Sequence, residues 1–372
     1  MPEFLRSTIQ VLVGIAFLFG GGELFVQGSV ALAVIFGIPQ LVIGLTVVSL
    51  GTSAPELFVS LNSVLQGSDA LALSNVVGSN IFNVMVVLGS SALVLPLHVE
   101  SRLVRRDVPL MIAVSAAVWG MASAGRVTWQ AGLSLVLGLM INTIWAIRTA
   151  REQLNDNENV ETEIEEDKAE GGWNLAAFQL IGGIAVLTIG SRVLVHGATS
   201  VVSLLGVSEE VIGLTIVSAG TSMPELITSL VAALRGRTDL AIGNVVGSCL
   251  LNLMLVLGGT ALFATGRGLN VTPELINEDL PVMLLTSLAC LPIFWTRGQI
   301  SRLEGGLLLG LYGLYLIDNV LPRTQLSNWT DEFRLVMLCL VLPTVVIMIA
   351  MQALIYWRNT RSKIDFPNIQ IK

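Results

Sequence analysis

The chain has 372 residues, of which 53% are hydrophobic and only 13% charged. Soluble domains carry about a quarter charged residues, so this composition excludes an ordinary soluble fold and points to a chain that crosses a membrane several times. The net charge of −7 arises largely from one acidic stretch, gives no footing for nucleic-acid binding, and says little else about partners.

Apolar segments of membrane length fall at 8–32, 40–65, 70–95, 107–124, 128–149, 174–204, 209–234, 239–264, 279–296, 303–321 and 333–357. The first runs on past any signal-peptide core without a clear cleavage motif, so it reads as a membrane helix. Short polar turns such as "QGSD" and "RGRTD" separate most segments. Residues 151–172, "REQLNDNENVETEIEEDKAEGG", differ: they form a strongly acidic linker that lacks the glycine-containing spacing of a calcium-binding EF-hand loop. Cys249, Cys290 and Cys339 lie scattered in apolar segments and read as packing residues. With only His98 and His196 besides, neither a zinc site nor any other cofactor is expected.

The two halves are copies. Sliding the sequence by the interval from Glu56 to Glu225 superposes "VIGLTVVSLGTSAPELFVSL" on "VIGLTIVSAGTSMPELITSL" without a gap, and carries "SNVVGSNIFNVMVVLG" onto "GNVVGSCLLNLMLVLG". The same shift matches Gly21, Gly28 and Gly37 to Gly190, Gly197 and Gly206. An odd number of helices per copy forces the second copy into the membrane from the opposite side, which is a transporter architecture. The expected fold is therefore an all-α membrane protein: a ten-helix core of two inverted five-helix repeats, 1–150 and 173–322, joined by the linker 151–172. A further transmembrane helix and tail occupy 323–372. With the N-terminus outside, Arg102, Arg105, Arg106, Arg148, Arg151, Lys168, Arg235, Arg237, Arg297, Arg302, Arg358, Arg361, Lys363 and Lys372 all fall on the cytoplasmic side. Only Arg6, Arg126, Arg267, Arg323 and Arg334 fall outside. This bias sets the orientation and places the linker and C-terminus in the cytoplasm of a cell with this protein in its plasma (inner) membrane.

The duplicated strings "GTSAPE" (51–56) and "GTSMPE" (220–225) carry the chemistry. A carboxylate inside a membrane helix is costly unless it has a partner or faces a polar cavity. Each glutamate follows a proline, which removes a backbone donor and clashes with the carbonyl four residues back, here Gly51 and Gly220. Spacings of three and four place Ser53 and Thr52 on the helix face of Glu56, with Ser49 and Ser60 near it; Thr221, Ser222 and Glu225 repeat the arrangement. Asn75, Ser79 and Asn83, and again Asn244, Ser248 and Asn252, form polar stripes on apolar helices, and Gly78 and Gly247 offer close helix approach. Asn80 is matched by Cys249 and is not expected to be a shared ligand. The donors are all hard oxygens, suited to Ca²⁺, Na⁺ or Mg²⁺. Glu23 and Arg192 also match at this shift and are expected to form a salt bridge or face water. No Ser/His or HExxH constellation exists, so the chain does not read as an enzyme.

"GTSAPE…NVVGSNIFN" and "GTSMPE…NVVGSCLLN" resemble the two alpha-repeats of the Ca²⁺:cation antiporters, particularly the prokaryotic sodium/calcium exchangers, over about residues 8–321. The resemblance implies that the second, third, seventh and eighth segments build the ion sites while the first and sixth slide across them. It implies Glu56 and Glu225 as central carboxylates, with Thr52, Ser53, Thr221 and Ser222 from the same strings. Ser49 and Ser218 would contribute backbone carbonyls, and Ser79, Asn83, Ser248 and Asn252 complete the set. Many relatives carry Asp where this chain has Asn252, which leaves two acidic groups and argues against potassium coupling. Ca²⁺ and Na⁺ are then the cargo and the bilayer the surroundings. The alternatives are exchange of Ca²⁺ for H⁺ and, in another class, a passive cation channel.

Overall fold

A computed structural model of the chain describes residues 2–156, 172–204, 215–216, 218–264, 266, 268–295, 298–324 and 327–341, with isolated positions beyond. The acidic linker from 157 to 171, residues 205–214 including the start of the seventh predicted segment, and about half of the eleventh lie outside the described residues.

Helices account for nearly all of the structure. The first repeat contains α1 (Pro2–Phe36), a broken helix α2 (Gln40–Thr52) and α3 (Ala54–Leu65), α4 (Asp69–Val94), α5 (Val108–Ala122) and α6 (Trp129–Asp156). The second contains α7 (Gly172–Leu204), the pieces α8 (Ser218–Thr221) and α9 (Met223–Leu234), α10 (Thr238–Phe263), α11 (Leu275–Trp295) and α12 (Arg302–Val320). A short helix α13 (Thr330–Val336) follows. Among the described residues six helices are long and apolar enough to span a membrane alone, and the pair α2–α3 makes a seventh. The shorter α5 and the part-described seventh and eleventh segments fall below that length, and α12, with 19 residues, is long enough but is not among the helices apolar enough to span, which is why fewer spans stand out than the eleven read from hydropathy.

Four two-residue strands settle how the repeats face. β1 (Leu97–His98) follows α4 and β3 (Leu269–Asn270) follows α10, so they are equivalents; β2 (Arg126–Val127) and β4 (Gln299–Ile300) are likewise equivalent. Equivalents do not pair. β1 pairs antiparallel with β4, Leu97 opposite Ile300, and β2 with β3, Val127 opposite Leu269. Since α5 runs from the β1 end of the bundle to the β2 end, equivalent loops sit at opposite ends, as an inverted repeat requires.

Burial separates a core from a shell. The apolar stretch of α10 is 94% buried and that of α4 72%, against 17% for α6 and 22% for α7. Lipid tails are as apolar as leucine, so close packing rather than hydrophobicity joins such helices. Small residues provide it. Gly89 of α4 lies against Gly305 of α12, and the equivalent Gly258 of α10 against Gly132 of α6, so each repeat's third segment packs on the other's fifth. On the shell, α1 and α7 run antiparallel along glycines spaced by seven: Gly14, Gly21 and Gly28 against Gly183, Gly190 and Gly197. A Cβ at Gly21 would stand 2.7 Å from the Leu187 nitrogen, and one at Gly183 2.7 Å from that of Phe25. Gly247 faces Leu45 and Ser49 as closely as expected, but no described residue lies within 4 Å of a Cβ placed at Gly78.

Candidate functional site

Each Pro-Glu string becomes a helix break. Ser53 adopts φ −81°, ψ 5° and Ser222 φ −90°, ψ 8°, outside the helical basin. α2 and α3 bend by 44° across Ser53. Pro55 and Pro224 stand in the first turn of the helices that restart, where a missing N–H costs nothing. The interruption therefore precedes the proline rather than being a kink at it. Around it, Ser53 N–H still reaches the Ser49 carbonyl at 2.9 Å, while the Gly220 carbonyl accepts the Ser191 hydroxyl of α7 at 2.5 Å.

The break overturns one expectation. Ser53 and Thr52 do not serve Glu56 on a shared helix face, because they lie at and before the interruption and Glu56 beyond it. Their hydroxyls cross to the other repeat instead. Ser53 Oγ donates to Glu225 Oε1 at 3.0 Å and Ser222 Oγ to Glu56 Oε1 at 3.0 Å, a reciprocal exchange between the two copies. Ser222 Oγ also lies 3.1 Å from Ser79 Oγ, and Thr52 Oγ1 3.4 Å from Ser248 Oγ. Thus Thr52, Ser53, Glu56, Ser79, Ser222, Glu225 and Ser248 meet at one place, with Thr221 joined to Asn75 at 3.4 Å. Ser49 is buried beside them, its carbonyl also taking the Thr52 hydroxyl at 3.3 Å. Ser218 opens α8, but its side chain lies outside the described residues.

Asn83 and Asn252 begin π-helical turns, Asn83–Leu88 and Asn252–Val256, at equivalent positions in α4 and α10. Such turns are often found at functional sites. Both carboxamides are fully buried, yet among the described residues their oxygens and nitrogens have no hydrogen-bond partner, and neither do Glu56 Oε2 and Glu225 Oε2. Glu56 and Glu225 are themselves fully buried. Among the described residues no Lys, Arg or His pairs with either glutamate. Buried charge without a counter-charge and buried amides without partners are both expensive. A hard cation answers both deficits through carboxylate, hydroxyl and carboxamide oxygens. No cluster of three or more His, Cys, Asp or Glu occurs among the described residues, so any such site rests on two carboxylates and neutral oxygens.

Other candidates fall elsewhere. Asn80 donates weakly to Met283 Sδ at 3.7 Å. Glu23 does not pair with Arg192, which is exposed. It accepts Arg235 Nη2 at 2.5 Å and Nε at 3.1 Å, and Gln27 Nε2 at 2.7 Å. The residues that hold the site together but were not singled out as ligands are Asn75, Asn244, Ser60 and Ser229. Asn75 Nδ2 donates to Ser60 Oγ at 2.9 Å and Asn244 Nδ2 to Ser229 Oγ at 2.9 Å. All four recur at the repeat interval, which is the signal that marks them.

Inverted repeats that meet at paired helix breaks, with charged groups buried at the meeting point, define a membrane transporter. Comparison with known proteins narrows the class. The model of the sodium/calcium exchanger protein family matches residues 6–148 and 175–320. The inner membrane protein YrbG of Escherichia coli is 33% identical over 85% of this chain and 99% of its own length. The sodium/calcium exchanger MaX1 of Methanosarcina acetivorans is 31% identical, covering 84% and 97%. A structure of the sodium-calcium exchanger NCX_Mj, soaked with Na⁺ and Ca²⁺, superposes with a TM-score of 0.71 at 28% identity over 84% of this chain and 97% of that one. The chain belongs to the sodium/calcium exchanger family and is an integral membrane protein.

Proposed function

We propose that the chain is a secondary antiporter that exchanges Ca²⁺ for Na⁺ by alternating access, with Glu56 and Glu225 as the charged centre of one shared site. The observation that carries this reading is the pair of fully buried carboxylates, one from each repeat, each hydrogen-bonded by the other repeat's serine and, among the described residues, paired with no cationic side chain. Two carboxylates balance one Ca²⁺ or two Na⁺, so either cargo neutralises the site. Emptied of both, the site keeps its charge and resists crossing a low-dielectric barrier. That asymmetry permits exchange and opposes leak. Thr52, Ser53, Thr221, Ser222, Ser79, Asn83, Ser248 and Asn252, with the Ser49 and Ser218 carbonyls, supply the remaining oxygens.

The moving part in this reading is the α1–α7 pair, whose close glycine seam makes it one unit on the outside of the bundle. Besides apolar packing, two polar contacts among the described residues tie the unit to the core: Ser191 on the Gly220 carbonyl and Glu23 on Arg235. Both must yield for the unit to slide. The N-terminus is placed outside, and the acidic linker and C-terminus in the cytoplasm, by the arginine bias.

The test uses purified protein in liposomes with the Na⁺ gradient and the pH gradient imposed separately. An outward Na⁺ gradient should drive Ca²⁺ uptake, and a pH gradient alone should not. Uptake driven by pH alone, or by neither gradient, would defeat the proposal.

A further inference from the structure

Two asparagines outside the expected ligand set occupy the same closed circuit in both repeats. Asn244 is fully buried, and its Nδ2 lies 3.3 Å from the Glu225 carbonyl oxygen and 2.9 Å from Ser229 Oγ. A carbonyl oxygen only accepts, so the amide nitrogen must face it and the amide oxygen must point the other way. There Asn244 Oδ1 meets Thr52 Oγ1 at 3.1 Å. An amide oxygen also only accepts, and at 3.1 Å it is a nearer acceptor than the Ser49 carbonyl at 3.3 Å, so the one hydroxyl proton of Thr52 is drawn to Asn244. The hydroxyl's lone pairs are then left for the rest of the site.

The first repeat repeats each step. Asn75 Nδ2 lies 3.3 Å from the Glu56 carbonyl oxygen and 2.9 Å from Ser60 Oγ, and Asn75 Oδ1 takes Thr221 Oγ1 at 3.4 Å. Each asparagine thus anchors on the backbone of its own repeat's glutamate and orients the threonine of the other repeat. Direction matters here, because a hydroxyl binds a cation through a lone pair, and one turned proton-first repels it. A freely rotating hydroxyl would have to be turned at the moment of binding. Partners behind a ligand that fix its orientation typically change metal affinity by about ten- to a hundredfold.

We propose that Asn75 and Asn244 are positioning residues that set the proton direction of Thr221 and Thr52, so that both threonines present lone pairs to the cation. This rests on the reading of the site as a cation site.

The test is a double-mutant cycle on the purified full-length protein, read as equilibrium binding of radiolabelled Ca²⁺ with no gradient present. Asn244→Ala should weaken binding by about tenfold. In a Thr52→Val background the same substitution should change binding by less than about twofold, because the hydroxyl it orients is gone. Asn75→Ala with Thr221→Val should give the same pattern, and it serves in full if Asn244→Ala does not fold. A merely structural asparagine would weaken binding equally with and without the threonine hydroxyl, and that additive result overturns the proposal. So does an unchanged affinity in the asparagine variants. A wild-type protein that binds no Ca²⁺ would overturn the cation reading itself, and the positioning role with it, which separates the two failures.

Discussion

Replacing Glu56 by Gln should move stability and cation binding in opposite directions. The Glu56 carboxylate is fully buried, accepts one hydroxyl at 3.0 Å, and leaves Oε2 without a partner among the described residues. A buried ion without counter-charge costs several kcal/mol even after the protein relaxes, and one hydrogen bond to a charged group returns about 1.5–3 kcal/mol. The unbalanced remainder, on the order of 1–3 kcal/mol, is relieved when the charge is removed. For a large domain that corresponds to a rise in melting temperature of roughly 2–4 °C per kcal/mol. Calcium reverses the ranking. At a concentration one thousand times Kd, binding stabilises the wild type by about 4.1 kcal/mol, more than that remainder, and the Gln variant gains little. Thermal melts of both proteins in detergent, at mildly alkaline pH with chelator and then with Ca²⁺, should therefore cross. A variant that melts below the wild type in chelator, or that shows the full Ca²⁺-dependent rise, would refute the reasoning.

Ser53→Ala and Ser222→Ala remove bonds of identical length on opposite carboxylates, so their effects on the apparent KM for Ca²⁺ exchange should agree within about twofold. Asn80→Cys installs what the second repeat carries at Cys249, a position outside the expected ligand set, and exchange rates in liposomes should be unchanged. Gly183→Val places side-chain atoms against the backbone of Phe25; overpacking of this kind costs about 1–3 kcal/mol, and the melting temperature should fall accordingly. Arg235→Gln breaks an ion pair whose arginine side chain is 61% exposed, and such pairs contribute less than about 1 kcal/mol, so its melting temperature should stay close to that of the wild type.

The site's members were legible because the chain carries the same string twice. A lone Pro-Glu in an apolar helix has several structural explanations, whereas Glu56 and Glu225 within a long ungapped match have few. The pairing was not legible. Helical spacing put Ser53 with Glu56, but that argument assumes an unbroken helix, and the chain interrupts it at Ser53 itself. Which carboxylate each serine then meets depends on inversion and packing between repeats, and no local pattern encodes that. The same limit hid the partner of Glu23: Arg192 matched it in register, while Arg235 reaches it in space. The π-helical turns at Asn83 and Asn252 leave no hydropathy signal at all. The fold was easier, since an odd helix count forces inversion and the crossed pairing of β1 with β4 and β2 with β3 shows it.

The central claim is that the two repeats build one site rather than one each, and flux through single-carboxylate variants tests it most directly. Na⁺-driven Ca²⁺ uptake into liposomes should be abolished by Glu56→Gln alone and by Glu225→Gln alone, with both proteins inserted and folded. Uptake near half the wild-type rate in either variant would mean two independent sites and would contradict the account.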